Sequence, residues 1–263
     1  MFDIYDFFTY LNAHGKENTY SKIIIYLLTH SEEAASLTIS EIAQKCYVSP
    51  PTLTRFCRRF GYDSFGGLRE GLKVLNRLTP YSSLRMKNTE FQLLQQDPHA
   101  YLANYAQEIT SAVNDVVATI DPDEIDQLLF KIHQASEVIL IGYSATLELA
   151  RDVQASFLFS KKIFFVGETD DVQEALVDSA DTQSLIIVIS SYGTLLTKNP
   201  ELTRKISQSE ADSIFITQNT TNTLTNLFTQ TIHVTKENYV QIGTYPLTFF
   251  FDYLTRRYAS LYY

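Results

Sequence analysis

The chain has 263 residues, 45% of them hydrophobic, with 21 basic and 30 acidic side chains and a formal charge of −9. It is long enough for two domains with cores of their own and too apolar to be disordered; the acidic balance argues against a whole surface that adheres to nucleic acid. The purest apolar run near the start, residues 23–28, is far too short to cross a bilayer, and Asp3 and Asp6, with no basic stretch beside them, predict no signal peptide. Cys46 and Cys57 fall on apolar helix faces, and the five histidines show no metal-ligand spacing. A soluble cytoplasmic protein with core thiols, no metal, no cofactor and no membrane contact is therefore expected.

Ile4, Phe7, Phe8 and Leu11 predict a first helix ending near Gly15, its aromatic face in the domain core or, alternatively, at a dimer contact. A second helix spans residues 20–29 with Ile23, Ile24 and Leu27 inward. Thr38 and Glu41 then form a capping box that starts a third helix at Ile39, with Ile42, Ala43 and Cys46 inward. Tyr47 and Val48 make a tight turn. Ser49 caps the next helix, and Pro50 suits its first position because that N–H has no intrahelical partner. Leu53, Phe56, Cys57 and Phe60 make one apolar stripe, and Gly61 stops the helix.

At 100° per residue, Pro51, Thr52, Thr54, Arg55, Arg58 and Arg59 occupy the arc opposite that stripe. This is the layout of a recognition helix, with an apolar back on its domain and arginines and hydroxyls toward phosphates and base edges. A merely solvated face is the alternative. The capped partner helix, the short turn and the absence of acid from residue 44 to 62 favour DNA, with Ser49 and those six residues as the contact set. Charge placement agrees. Between Ser40 and Arg77, seven basic residues against three acidic ones leave +4, so the remainder carries −13. Neutralisation of phosphates is local, so a basic module on an acidic body can bind DNA.

Ser64 can cap a fifth helix to about residue 78, with Leu68, Leu72 and Leu75 inward. Residues 1–78 thus read as an all-α helix-turn-helix domain. Residues 79–99, with Pro80, Ser82, Ser83, Asn88, Gln92, Gln95, Gln96 and Pro98, read as a linker. From residue 100 the pattern changes. Leu102, Ala106, Ile109, Val113, Val116 and Ile120 give a long helix with a narrow apolar seam, fit to close a dimer or to pack on its own sheet. Asp121, Pro122 and Glu124 start another helix that packs through Ile125, Leu128, Leu129 and Ile132. Short apolar strands at residues 138–142, 162–167, 185–190, 213–217 and 232–235 then alternate with helices, the last at about 246–261. Continuous apolar runs predict strands covered on both faces, hence a five-stranded parallel sheet in a three-layer α/β domain over residues 100–263.

Ligands of such sheets sit beyond the carboxyl ends of the strands. The first strand ends in Gly142-Tyr143-Ser144-Ala145-Thr146 and the third in Ser190-Ser191-Tyr192-Gly193-Thr194. Hydroxyls and backbone N–H groups at a helix N-terminus can hold an anion without any lysine. The plain alternative is that these residues only cap and turn.

Together the two halves resemble the RpiR-type bacterial transcriptional regulators. The resemblance rests on residues 38–62, with Val48-Ser49, Thr52, Arg55-Phe56-Cys57 and Phe60-Gly61-Tyr62 in register, and on the strand–loop pattern of a sugar isomerase (SIS) domain over the second half. It implies regulation of carbohydrate metabolism by a homodimer or higher homo-oligomer on a double-stranded operator, with a phosphosugar effector. Thr146, Ser190 and Gly193 correspond to the family's effector loops, Ser144, Ser191 and Thr194 join them from the local geometry of those loops, and Tyr192 either lines the pocket or blocks it. Where the family usually reads Gly-x-Gly-x-Ser, Ser144 replaces the second glycine and Thr146 keeps the hydroxyl; where it reads Ser-x-Ser-Gly, Tyr192 replaces the second serine. Two other readings stay open: a ligand-independent DNA-binding dimer on a vestigial SIS scaffold, and a phosphosugar isomerase with Glu237 or His233 as base.

Overall fold

The computed structural model describes residues 4–77, 84–193, 199–221 and 225–263, and the chain divides into two compact units, Met1–Asn88 and Thr89–Tyr263. In the first unit α1 (Ile4–His14), α2 (Thr19–Thr29), α4 (Ile39–Lys45), α5 (Pro50–Arg59) and α6 (Phe65–Asn76) match the five helices expected, and one further turn, α3 (Ser31–Ala34), was not foreseen. Four residues with two glutamates offered too short a pattern to read, yet Ala34 is buried there. Phe7, Ile23, Ile24, Leu27, Ile42, Leu53, Phe56, Leu68 and Leu72 form the core. Phe7 meets Phe60 edge-on at 4.9 Å between ring centroids, which ties α1 to the end of α5. Phe8, expected beside Phe7, is exposed instead, because consecutive helical residues diverge by 100°. The Ile4 side chain lies outside the described residues.

Residues 78–83, the first part of the expected linker and the end of the expected first domain, also lie outside them. The rest of the linker stretch corrects the sequence reading: α7 (Asn88–Gln96) fills it, and α8 (Pro98–Thr119) starts four residues before Leu102. Asp97 accepts a hydrogen bond from the Ala100 N–H at 3.0 Å with Pro98 at the first helical position, the same device as Ser49-Pro50. α7 buries none of its residues, which is why it left no periodic signal.

The second unit continues with α9 (Pro122–Gln134), β1 (Glu137–Ile141), α10 (Ala145–Leu158), β2 (Phe164–Val166), α11 (Asp170–Ser179), β3 (Ser184–Ser190), α12 (Pro200–Gln208), β4 (Asp212–Thr217), β5 (Gln230–His233) and α13 (Tyr245–Tyr262). All strand pairs are parallel, in the order β2-β1-β3-β4-β5. Successive strand residues face opposite layers. Val138, Leu140, Leu185, Ile187 and Ile189 pack with α8, α9, α10 and α13, while Ile139, Ile141, Ile186 and Val188 pack with α11 and α12. The sheet is thus sandwiched, as its apolar strands require. β2 is shorter than expected, and β5 starts two residues earlier because Gln230 registers against Ile214.

Along α8 the expected seam is only half covered. Of its residues Val116 is buried, Ile109, Val113 and Ile120 are half-buried, and Ala106 and Leu102 are exposed, Leu102 to 62%; Ala112, outside the seam, is buried.

Candidate functional site

In the first unit, α4 and α5 are held by two C-terminal turns of the same design. After α4, the Tyr47 N–H donates to Gln44 O and the Val48 N–H to Ala43 O; after α5, the Gly61 N–H donates to Arg58 O and the Tyr62 N–H to Cys57 O. Each is a Schellman turn, in which the residue just past the helix takes a left-handed backbone. Gly61 does so at φ 72° without cost, while Tyr47 does so at φ 55°, which disfavours a residue with a Cβ by about 1 kcal/mol.

The N-cap of α5 is built as expected. Ser49 Oγ accepts from the Thr52 N–H at 3.4 Å and lies 2.9 Å from Thr52 Oγ1, and an Arg55 guanidinium nitrogen donates to that same Thr52 oxygen at 3.3 Å. Thr54 Oγ1 donates back to Pro50 O at 3.1 Å. Leu53, Phe56 and Cys57 are buried, and Ser49, Pro51, Thr54, Arg55, Arg58 and Arg59 are exposed. Among the described residues no carboxylate pairs with Arg55, Arg58 or Arg59, whereas Lys45 is held by Glu33 at 2.8 Å and Lys73 by Glu70 at 2.7 Å. Three unneutralised guanidinium groups on one helix face make a positive surface fit for phosphate.

In the second unit, the chain order reverses between β1 and β3, so the two predicted loops stand side by side at the topological switch point. Much of their hydrogen-bonding capacity is spent within them. Thr146 Oγ1 accepts from the Tyr143 N–H at 3.0 Å and donates to Tyr143 O at 2.9 Å, closing the loop after β1. Gly142 is obligatory there, since a Cβ would lie 2.8 Å from Thr146 O. Ser144 is exposed, at φ 55°, immediately before α10. After β3, Ser190 Oγ accepts from the Gly193 N–H at 3.0 Å, and Gly193 takes φ 72°. Ser191 is buried with its hydroxyl unpartnered. Thr194 lies outside the described residues.

Tyr192 reaches away from this pair of loops. Its hydroxyl donates to Val240 O at 3.1 Å and Gly243 O at 3.3 Å, and its carbonyl accepts from Asn219 Nδ2 at 2.7 Å. The ring thereby walls a cavity of about 290 Å³ with Gln218, Asn219, Thr221, Asn238, Tyr239 and Val240, beyond the ends of β3 and β4. Of the predicted effector residues, Tyr192 lines it. Gln218 is 1% exposed; its Nε2 donates to Gly243 O at 2.8 Å and Tyr239 O at 3.5 Å, which fixes the amide orientation and leaves Oε1 buried without a partner. Asp115 of α8 supports the far wall, its Oδ2 accepting from the Lys236 and Glu237 N–H groups, each at 3.0 Å. Glu237 and His233 do not line the cavity. Sequence reasoning missed Gln218, Asn219, Asn238 and Tyr239, although the strand-end rule applied after β1 and β3 applies equally after β4.

One unit thus carries a capped helix-turn-helix, and the other a doubly wound parallel sheet with a cavity at its carboxyl edge. Residues 9–74 match the helix-turn-helix domain of the rpiR family, and residues 131–254 match the SIS domain. The chain belongs to the RpiR family of transcriptional regulators. It is 25% identical over 173 residues to the HTH-type transcriptional regulator HexR of Pseudomonas aeruginosa, covering 65% of this chain and 59% of HexR. It is 23% identical over 176 residues to the uncharacterised regulator YbbH of Bacillus subtilis, again 65% and 59%. The alignments thus span about three fifths of these relatives. Among solved structures, NanR of Vibrio vulnificus, complexed with ManNAc-6P, superposes with a TM-score of 0.55 at 17% identity over 98% of this chain and 92% of that one. The sugar isomerase domain of an RpiR transcription factor from Sphaerobacter thermophilus gives 0.53 at 12% identity over 61% and 90%. Among the described residues no helix is long and apolar enough to cross a membrane.

Proposed function

We propose that the protein regulates carbohydrate metabolism as a homodimer that grips a double-stranded operator through α5 and releases or tightens it on binding a phosphorylated sugar in its SIS unit. The observation that carries the DNA reading is the α5 face, where Arg55, Arg58 and Arg59 stand exposed without carboxylate partners on a helix whose opposite stripe is buried. Thr52, Thr54, Ser49 and Pro51 complete the contact set. In the second unit, the anionic end of the effector takes Ser144, Ser191 and the positive end of α10. The hydroxylated end enters the cavity, among Asn219, Thr221 and Asn238. Thr146, Ser190 and Gly193 shape the loops, and Thr194 adds a hydroxyl. NanR, whose fold this chain shares, is complexed with ManNAc-6P.

One observation favours the ligand-independent scaffold instead: Tyr192 is already tied to Val240 and Gly243. Calorimetric titration with a panel of sugar phosphates decides between them. Binding to wild type supports the sensor; binding gained only by Tyr192→Ser means a closed, vestigial pocket. For the DNA half, replacing one phosphate-binding arginine by alanine lowers the salt slope of operator binding by about one unit. A folded Arg55/Arg58/Arg59 triple alanine variant with unchanged affinity would overturn the assignment.

A further inference from the structure

Among the described residues nothing calls for a tyrosine side chain at the left-handed position 47. Its turn is complete without a side chain, because both of its hydrogen bonds are made by backbone groups. Gly61 closes the equivalent turn of the next helix with nothing within 4 Å of the place a Cβ would occupy. Tyr47 is 96% exposed, so the ring recovers nothing by burial. A bulky residue is thus held in a strained backbone, in full solvent, two residues before the cap of α5. Strain without internal return is the mark of a residue used externally.

We infer that Tyr47 is a DNA contact: its ring lies against the sugar–phosphate backbone beside the groove that α5 enters, and its hydroxyl donates to a phosphate oxygen. The surroundings fit that partner, since residues 44–62 contain no acid and Lys45 is occupied by Glu33, leaving the turn without a free cation of its own. A phenol is a neutral donor, so this contact fixes the helix on the duplex and displaces no counterion. The inference rests on the reading of α5 as the recognition helix and assigns an anchor outside that helix.

The test uses the full-length protein and a duplex recovered by selection from random sequence. Tyr47→Phe, which keeps the strain and loses the hydroxyl, weakens binding about three- to tenfold with an unchanged slope of log affinity against log salt. Tyr47→Gly relaxes the turn. It raises amide-exchange protection in α4 and α5 roughly fivefold while weakening binding at least as much as Tyr47→Phe. Stability and affinity then move in opposite directions, which a structural role for Tyr47 does not produce. Wild-type affinity in Tyr47→Gly overturns the inference, and so does a lowered salt slope in Tyr47→Phe. If Tyr47→Gly binds normally while the Arg55/Arg58/Arg59 variant fails, only the Tyr47 contact falls; if the arginine variant also binds normally, the reading of α5 falls with it.

Discussion

Thr146 shows how a hydroxyl at the right place in a loop can serve the loop itself. Its Oγ1 both accepts from and donates to the backbone of Tyr143, and it is buried. Replacing Thr146 by Val keeps the shape and removes both bonds: Tyr143 O keeps the Thr146 N–H as a donor at 3.1 Å, but the Tyr143 N–H loses the Thr146 hydroxyl as its acceptor. The cost is about 1–3 kcal/mol, read as a lower urea midpoint for the SIS unit. Thr146→Ser, which restores the hydroxyl, recovers most of it. An undiminished midpoint in Thr146→Val would show that water replaces the clamp. Ser144 and Ser191 differ from Thr146 in this respect: the first is exposed, and the second is buried with no bond at all. The sequence did not say which of the three hydroxyls its own loop would use, since a loop's internal hydrogen bonds depend on where its backbone turns.

At the scale of elements, the helix-turn-helix was legible because its signals are local: Thr38 with Glu41, Ser49 with Pro50, and a stripe of four apolar residues each act within two turns of helix. The cavity was not, because Gln218, Asn238 and Tyr239 are brought together only when the segment after β5 folds back over the ends of β3 and β4. α7 was missed for a third reason, that it buries nothing. The same apolar stripe that made α4 and α5 readable sets their pH response. Burial pushes the Cys46 and Cys57 thiols up to about 11, whereas an unfolded thiol ionises near about 8.5. Below that value both states keep the proton and stability is complete. Between about 8.5 and 11 the unfolded state loses protons that the folded state retains, so stability falls as pH rises. Urea unfolding of the helical unit at pH 8 and pH 10.5 reads this loss, and a Cys46→Ala/Cys57→Ala variant shows a smaller drop between the two. An equal drop would assign the alkaline loss to other groups.

For the whole molecule the expectation is a dimer. Leu102 stays exposed on the long α8, and in the proposed dimer a second copy would cover it. Two recognition helices related by a two-fold axis read half-sites ~10 bp apart or a multiple of that. Sedimentation at micromolar concentration checks the assembly, with Leu102→Glu shifting it toward monomer. A monomeric wild type would leave each α5 to bind alone.

Asp115 sits on that same α8, and its carboxylate holds the Lys236 and Glu237 N–H groups at the foot of the cavity wall. The helix on which a partner would rest is therefore also the footing of the proposed ligand chamber. Thermodynamic linkage makes such an arrangement symmetric: if filling the chamber changes the affinity of α8 for its partner by some factor, the partner changes the affinity of the chamber by that same factor. Diluting the assembly and titrating the effector would then be two measurements of one quantity.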